Sequence, residues 1–459
     1  MMTKEKLGTN QITEGVIWKQ LLIFFFPIVI GTLFQQLYNT ADTIIVGRFI
    51  GKEALASVGG SAAVLTYQVI MLFTGLASGA SVIISQYFGA GDEKNLQKAL
   101  HTAYAFSIIV SILIAIFGWF ITPWILGVMK TPSEIMPDSI LYLRIYFAGI
   151  ISTLVYNMGS GIMRAIGDSR RPLYYLIVCC ILNITLDIVF VVVFHMGIAG
   201  AAIATVLSQT VSACLVTRAL MHAYDALRLE LHSIRIDLST LSRQLRIGLP
   251  SALQSCMYGL TNIILQTAIN ELGTDTTAAW AAFGKMDMIF WAVSGAFGIA
   301  ITTFAGQNYG AGKMDRVYKS VRVSLGMSLA INGSILAILM IFARPLFHLF
   351  TTDSAVIDIG VYMLLHIVPS YIIFIFVEIL TGALRGIGDV LIPTIITVGG
   401  ICGVRLPWIL FMMPRHHSLL TILISYPLAW AATVLLLVPY YFYKKWKFGE
   451  VRGSRCPLT

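Results

Sequence analysis

Apolar residues dominate the chain in long blocks that short polar stretches interrupt. Gln20 to Ala41 holds no charged residue, and neither do Thr102 to Met129 or Ser418 to Tyr443. Each such block reaches the ~20 residues that cross a hydrocarbon core. A transmembrane barrel would instead show ~10-residue strands of alternating character. The blocks therefore predict an all-α polytopic membrane protein. Twelve spans are expected, near 17–46, 58–84, 99–122, 140–162, 172–194, 198–219, 247–270, 279–305, 320–342, 360–383, 391–413 and 418–442. The first is too long for a signal peptide and holds Pro27.

Polar motifs between the blocks recur. "SQYFGAGDEKN" starts at Ser85 and "GQNYGAGKMDR" at Gly306; "MRAIGDSRRP" starts at Met163 and "LRGIGDVLIP" at Leu384. Both pairs are 221 residues apart, and each motif follows an even-numbered span. Two echoes at one offset imply a duplicated six-helix unit. An even number of spans inserts both copies in the same direction, giving two pseudo-symmetric six-helix lobes on the parallel-repeat plan of some secondary transporters. The expected divisions are a first lobe over 1–219, a cytoplasmic linker over 220–246, a second lobe over 247–443 and a basic tail over 444–459. An amphipathic helix is a further expectation for the linker. The repeated loops read as helix connectors. Arg164 and Arg385 fall at helix C-termini, Gly167 and Gly388 just beyond, and Pro172 and Pro393 in the next first turn. A gating role for the arginines stays open beside that reading.

Composition agrees: of 459 residues 57% are hydrophobic and 12% charged, half the ~25% of soluble chains. The formal charge of +9 reads as a topology signal. With the N-terminus inside, 23 of the 31 Lys and Arg fall on inner loops and tails, which places both termini in the cytoplasm. Scattered over many loops, they make no nucleic-acid surface. The six cysteines form no CxxC pair, and the five that fall in spans read as packing residues.

Ionisable residues inside apolar helices are costly and mark function. Asp42 and Asp187 are the cleanest cases. Asn183 lies one helical turn before Asp187, on the same face. At 1.5 Å per residue Asp187 lies roughly 22 Å from the inner surface, and Thr205 about 10 Å from the outer one. Asp42 falls in the same outer half. Two carboxylates, an amide and a hydroxyl at one level suit sodium or a proton; a structural hydrogen-bond network is the alternative. Gln35, Tyr38 and Asp42 form one stripe, which with Asn157 gives candidate substrate contacts. In the second half Glu378 is a further candidate, for substrate or for pairing with Arg405, although their depths differ by roughly 10 Å. Lys285 and Asp287 sit near an outer end, where solvation is expected.

Together "LYNTAD", "QYFGAG", "QNYGAG", "RAIGDSRRP", "RGIGD" and "NITLD", with the duplicated plan, resemble the multidrug and toxic compound extrusion (MATE) family over nearly the whole chain. The resemblance implies a monomeric, cofactor-free antiporter of the cell membrane. It would export cationic organic compounds in exchange for H+ or Na+, and it would not be an enzyme. Asp42, Asn183, Asp187 and Thr205 match the family's cation site in the first lobe, with Na+ a possible occupant. Pro27, Arg164, Arg385 and Arg405 are gating or structural candidates. The second lobe departs: "VRLPW" stands opposite "NITLD", Tyr258 stands where some members carry Glu, and Phe374 where they carry Asp. A second ion site of that kind is not expected. The competing reading is a flippase of lipid-linked saccharides on a related fold, which would need several cations facing a cavity. The membrane segments offer mainly Arg405.

Overall fold

A computed structural model of the chain describes residues 12–223 and 227–450. Lys4, Lys6, Arg452, Arg455, Cys456, part of the expected linker and most of the expected tail lie outside the described residues. The order is α1 (Ile17–Phe49), α2 (Lys52–Gly59), α3 (Ser61–Ala90), α4 (Glu93–Val128), α5 (Met136–Ala165) and α6 (Arg170–Asp187). A π-helical turn (Ile188–Val193) and α7 (Gly197–Met221) follow. Then come α8 (Leu238–Asn270), α9 (Thr274–Gly310), α10 (Met314–Ile341), α11 (Ala343–His348) and α12 (Ser354–Ile367). A 3-10 turn (Val368–Ser370) leads into α13 (Tyr371–Gly386), and α14 (Leu391–Met412) and α15 (Leu419–Glu450) complete the order.

Among the described residues eleven stretches are long and apolar enough to cross a membrane. The expected seventh span lies inside α8. That helix has 33 residues, roughly 50 Å of length, but Arg243, Gln244, Arg246, Ser251 and Gln254 make its first half more polar. α1 runs through Pro27 as one helix.

Two compact units divide the chain. In the described residues one comprises 23–252 and the other 12–22 with 253–450. The dividing points fall within α1 and α8.

In the first unit the chain before α8 makes no amphipathic helix among its described residues. Leu227 and Leu229 are buried, and the Glu230 amide donates to His101 Nε2 at 3.1 Å. Asp237 caps α8, accepting from the Thr240 amide at 2.8 Å and the Ser239 hydroxyl at 2.6 Å. These bonds, the Ser239 hydroxyl first, hold its carboxyl below the usual range. α8 then crosses α3 at small residues. A Cβ on Gly79 would lie 2.0 Å from the Gln244 carbonyl oxygen, and one on Gly75 2.4 Å from Ala252 Cα. Such backbone contact is how helices associate where the hydrophobic effect gives no drive.

In the second unit Arg316 gathers the segment preceding α1. Its Nη1 donates to the Gly15 carbonyl at 2.9 Å, its Nη2 to that of Glu14 at 2.5 Å and its Nε to that of Ile12 at 3.2 Å.

The repeated loops fold alike. The amides of Gly91 and Asp92 donate to the carbonyls of Phe88 and Tyr87, and 221 residues on Gly312 and Lys313 donate to Tyr309 and Asn308. Gly167 and Asp168 donate to Arg164 and Met163; Gly388 and Asp389 donate to Arg385 and Leu384. Each is the paired bond that closes a helix C-terminus through a left-handed glycine. The φ values repeat too, 70° and 72° in one pair, 96° and 88° in the other. Arg164 and Arg385 occupy the last turns of α5 and α13. Beyond the loops the copies diverge: Asp168 pairs with Arg171 at 2.9 Å, whereas Asp389 takes Lys444 at 2.9 Å and the Tyr440 hydroxyl at 2.7 Å.

Candidate cation and substrate sites

Three helices of the first unit bring the predicted cluster together. α1 supplies Asp42, α6 supplies Asn183 and Asp187 one turn apart, and α7 supplies Thr205. Asn183 Nδ2 lies 3.5 Å from Thr205 Oγ1, at the outer limit of a hydrogen bond. The carboxyls of Asp42 and Asp187 lie near enough for each to act on the other. Asn183 and Asp187 are fully buried and Thr205 nearly so. α1 comes close to α6 at Gly31, where a Cβ would sit 3.5 Å from Leu176.

The chemistry of the cluster is one-sided. Asp42 Oδ1, Asn183 Oδ1 and both carboxyl oxygens of Asp187 are buried with no donor facing them. Ionised carboxylates only accept, so two in contact repel. A single proton between them turns that repulsion into a hydrogen bond, and a bound cation neutralises it. Among the described residues no protein donor reaches these four acceptors.

Three features were missed in the sequence. The π turn begins at the residue after Asp187; such wide turns are frequent at functional sites. Tyr142 of α5 lies among Asp42, Tyr38 and Asp187, stacked with Tyr146 one turn on at 6.3 Å. Gln209, one turn after Thr205, meets Tyr38 and keeps a buried Oε1 without a donor. The i, i+4 spacings of Tyr142 with Tyr146 and of Thr205 with Gln209 were readable signals. The π turn had none, since "IVFVVV" reads as an ordinary apolar run.

The substrate candidates separate. Tyr38 joins the cluster. Gln35 is exposed, and Asn157 donates its amide to the Thr153 carbonyl at 2.8 Å within its own helix.

The second unit holds a different arrangement. Asp287 is not solvated at a helix end: it is 9% exposed and accepts from the Tyr371 hydroxyl at 2.6 Å and Trp291 Nε1 at 2.8 Å. Lys285 alone is exposed. Glu378 does not pair with Arg405. Its carboxylate lies over Gly298 of α9, where a Cβ would come 1.9 Å from Oε1, and the charge acting on it is that of Arg385. Tyr258 accepts from Gln254 Nε2 at 2.9 Å. Phe374 packs on Trp291 and Trp430, with centroids 4.9 and 5.5 Å away. Both positions thus serve packing and hydrogen bonding.

Arg405 is 4% exposed. Its guanidinium stands 4.0 Å from the Tyr426 centroid and 5.7 Å from that of Trp430. The described ion pairs are Arg171–Asp168, Arg344–Asp358 and Lys444–Asp389, so none involves it. A mid-membrane arginine costs about 2.5–3.5 kcal/mol on insertion scales, and a cation–π contact returns about 0.5–2 kcal/mol.

The MatE family model matches residues 27–189 and again 250–410. The chain belongs to the MATE family. The double match is what an internal duplication requires. A probable multidrug resistance protein of Bacillus subtilis, YoeA, is 29% identical over 460 residues, covering 98% of each chain. The probable multidrug resistance protein NorM of Thermotoga maritima is 26% identical over 424 residues, covering 91% of this chain and 89% of its own. An outward-facing MATE transporter of known structure shares the fold with a TM-score of 0.89 at 22% identity, covering 98% of this chain and 100% of that one. The protein is therefore a membrane transporter of the multidrug-efflux family.

Proposed function

We propose that this MATE protein is a secondary antiporter of the cell membrane with both termini in the cytoplasm. It exports organic, cationic, drug-like compounds in exchange for H+ or Na+. The ion is held by Asp42, Asn183 and Asp187, with Thr205 at the edge of the set. One observation carries the reading: four buried acceptor oxygens on two helices, α1 and α6, face no donor. Loading the ion removes the repulsion between Asp42 and Asp187 and draws α1 onto α6. Unloading restores it, and that difference between the two states is what couples ion to cargo. The gradient thus acts through α1, which also carries Tyr38 and Gln35 toward the substrate.

Ethidium efflux from cells expressing the wild type, Asp42→Asn and Asp187→Asn tests this. The wild type should clear the dye, and each variant should lose most of that activity at equal expression. Unchanged efflux in both variants removes the cluster from the mechanism.

A further inference from the structure

We propose that Arg405 is the anchor of an anion subsite in the second unit, built to receive the carboxylate of a zwitterionic substrate. The inference rests on the transporter reading and narrows its substrate class.

Arg405 Nε and Nη2 are both buried without an acceptor. These two nitrogens form one edge of the guanidinium, where two N–H groups point in parallel. That edge matches the two oxygens of a carboxylate side-on, a fit that a lysine ammonium does not reproduce. Among the described residues no carboxylate takes the place. Asp287 is occupied by Tyr371 and Trp291, and Glu378 lies over Gly298 in the field of Arg385.

The surroundings have the character of a receptor for an aromatic acid. Tyr426 and Trp430 hold the guanidinium plane, and the Tyr258 and Tyr371 phenols and the Cys402 thiol fall within its electrostatic reach. Tyr426 neighbours both Arg405 and Trp280, whose ring centroid is 6.3 Å from it. Trp280 is only half-buried. An incoming acid would displace the Tyr426 ring, lay its own aromatic body against Trp280 and Trp430, and present its carboxylate to the freed edge.

A matched pair of dyes tests this. Rhodamine 110 carries a free carboxylate, and rhodamine 123 is its methyl ester. Binding of both to the full-length protein in nanodiscs is measured by fluorescence polarisation for the wild type, Arg405→Gln and Arg405→Lys. The wild type should prefer the acid by about tenfold. Both variants should lose that preference because acid binding weakens more than ester binding. Equal binding of acid and ester by the wild type overturns the proposal. So does a preference that survives in both variants. Where Arg405→Gln fails to fold, Arg405→Lys decides: loss of the preference supports the side-on subsite, and its retention overturns it. Wild-type discrimination with no ethidium export from cells would leave the subsite standing and remove the transport reading. Ethidium export without discrimination would do the reverse.

Discussion

Replacing Gly79 by alanine places a methyl group where α3 meets the first turns of α8. The added Cβ would lie 2.0 Å from the Gln244 carbonyl oxygen and 2.6 Å from the Gly248 amide nitrogen. Close carbon-to-oxygen contacts settle near 3.3–3.6 Å, so the two helices must part by more than ~1 Å. Both obstructing atoms are backbone, and no rotamer can move them aside. Forced overpacking of this kind costs about 1–3 kcal/mol. Separation by that distance also stretches the bonds beside the crossing. Gln244 Nε2 donates to the Ala99 carbonyl at 3.0 Å, and Arg243 Nη1 to the Tyr87 hydroxyl at 2.9 Å. Loss of either adds about 0.5–1.5 kcal/mol, for a total of about 1.5–4.5 kcal/mol. Gly333 of α10 is the control, because a Cβ there meets nothing within 4 Å. Alanine at that position should hold or raise stability by up to ~1 kcal/mol. Melting of the purified proteins in detergent, followed by tryptophan fluorescence, reads both. Gly79→Ala should melt several degrees below the wild type and Gly333→Ala at or above it. A Gly79→Ala protein as stable as the wild type would refute the close crossing.

Gly167→Ala and Gly388→Ala should each cost about 1–2 kcal/mol by forcing a left-handed backbone onto alanine. Their near-equal φ makes the two losses similar, which the same melting assay checks. Arg316→Ala releases the carbonyls of Ile12, Glu14 and Gly15; limited proteolysis within residues 12–20 should then accelerate while the bulk of the chain stays resistant. Asn183→Leu keeps the branching of the side chain but removes one oxygen ligand. Coupled efflux should fall about tenfold, the loss of one charge-assisted contact, without a change in expression.

The fold was legible because its signals are long and redundant. Charge-free blocks of over 20 residues fix the helices, and two motif pairs at a single offset fix the duplication. The first-unit cluster was legible for a simpler reason: a carboxylate in an apolar helix stands out, and the helical rise estimates its depth. Tyr142 and Gln209 were not singled out, because tyrosine and glutamine in membrane helices have many ordinary roles and only packing shows which face they take. The π turn leaves no mark in a run of Ile, Val and Phe. Asp287 shows the opposite failure. Its place near a helix end suggested water, yet the hydroxyl of Tyr371, 84 residues on, and the indole of Trp291 enclose it. Arg405 was noticed as an anomaly, but only its two unpartnered nitrogens gave it a chemical direction.

The central claim is that Asp42 and Asp187 together hold the ion that drives transport. Purified protein in liposomes, with pH and sodium gradients imposed separately, tests it most directly. In the wild type one of the two gradients should accelerate uptake of a fluorescent organic cation, and Asp187→Asn should abolish that acceleration while still binding the dye. Gradient-driven uptake by Asp187→Asn at the wild-type rate would contradict the account.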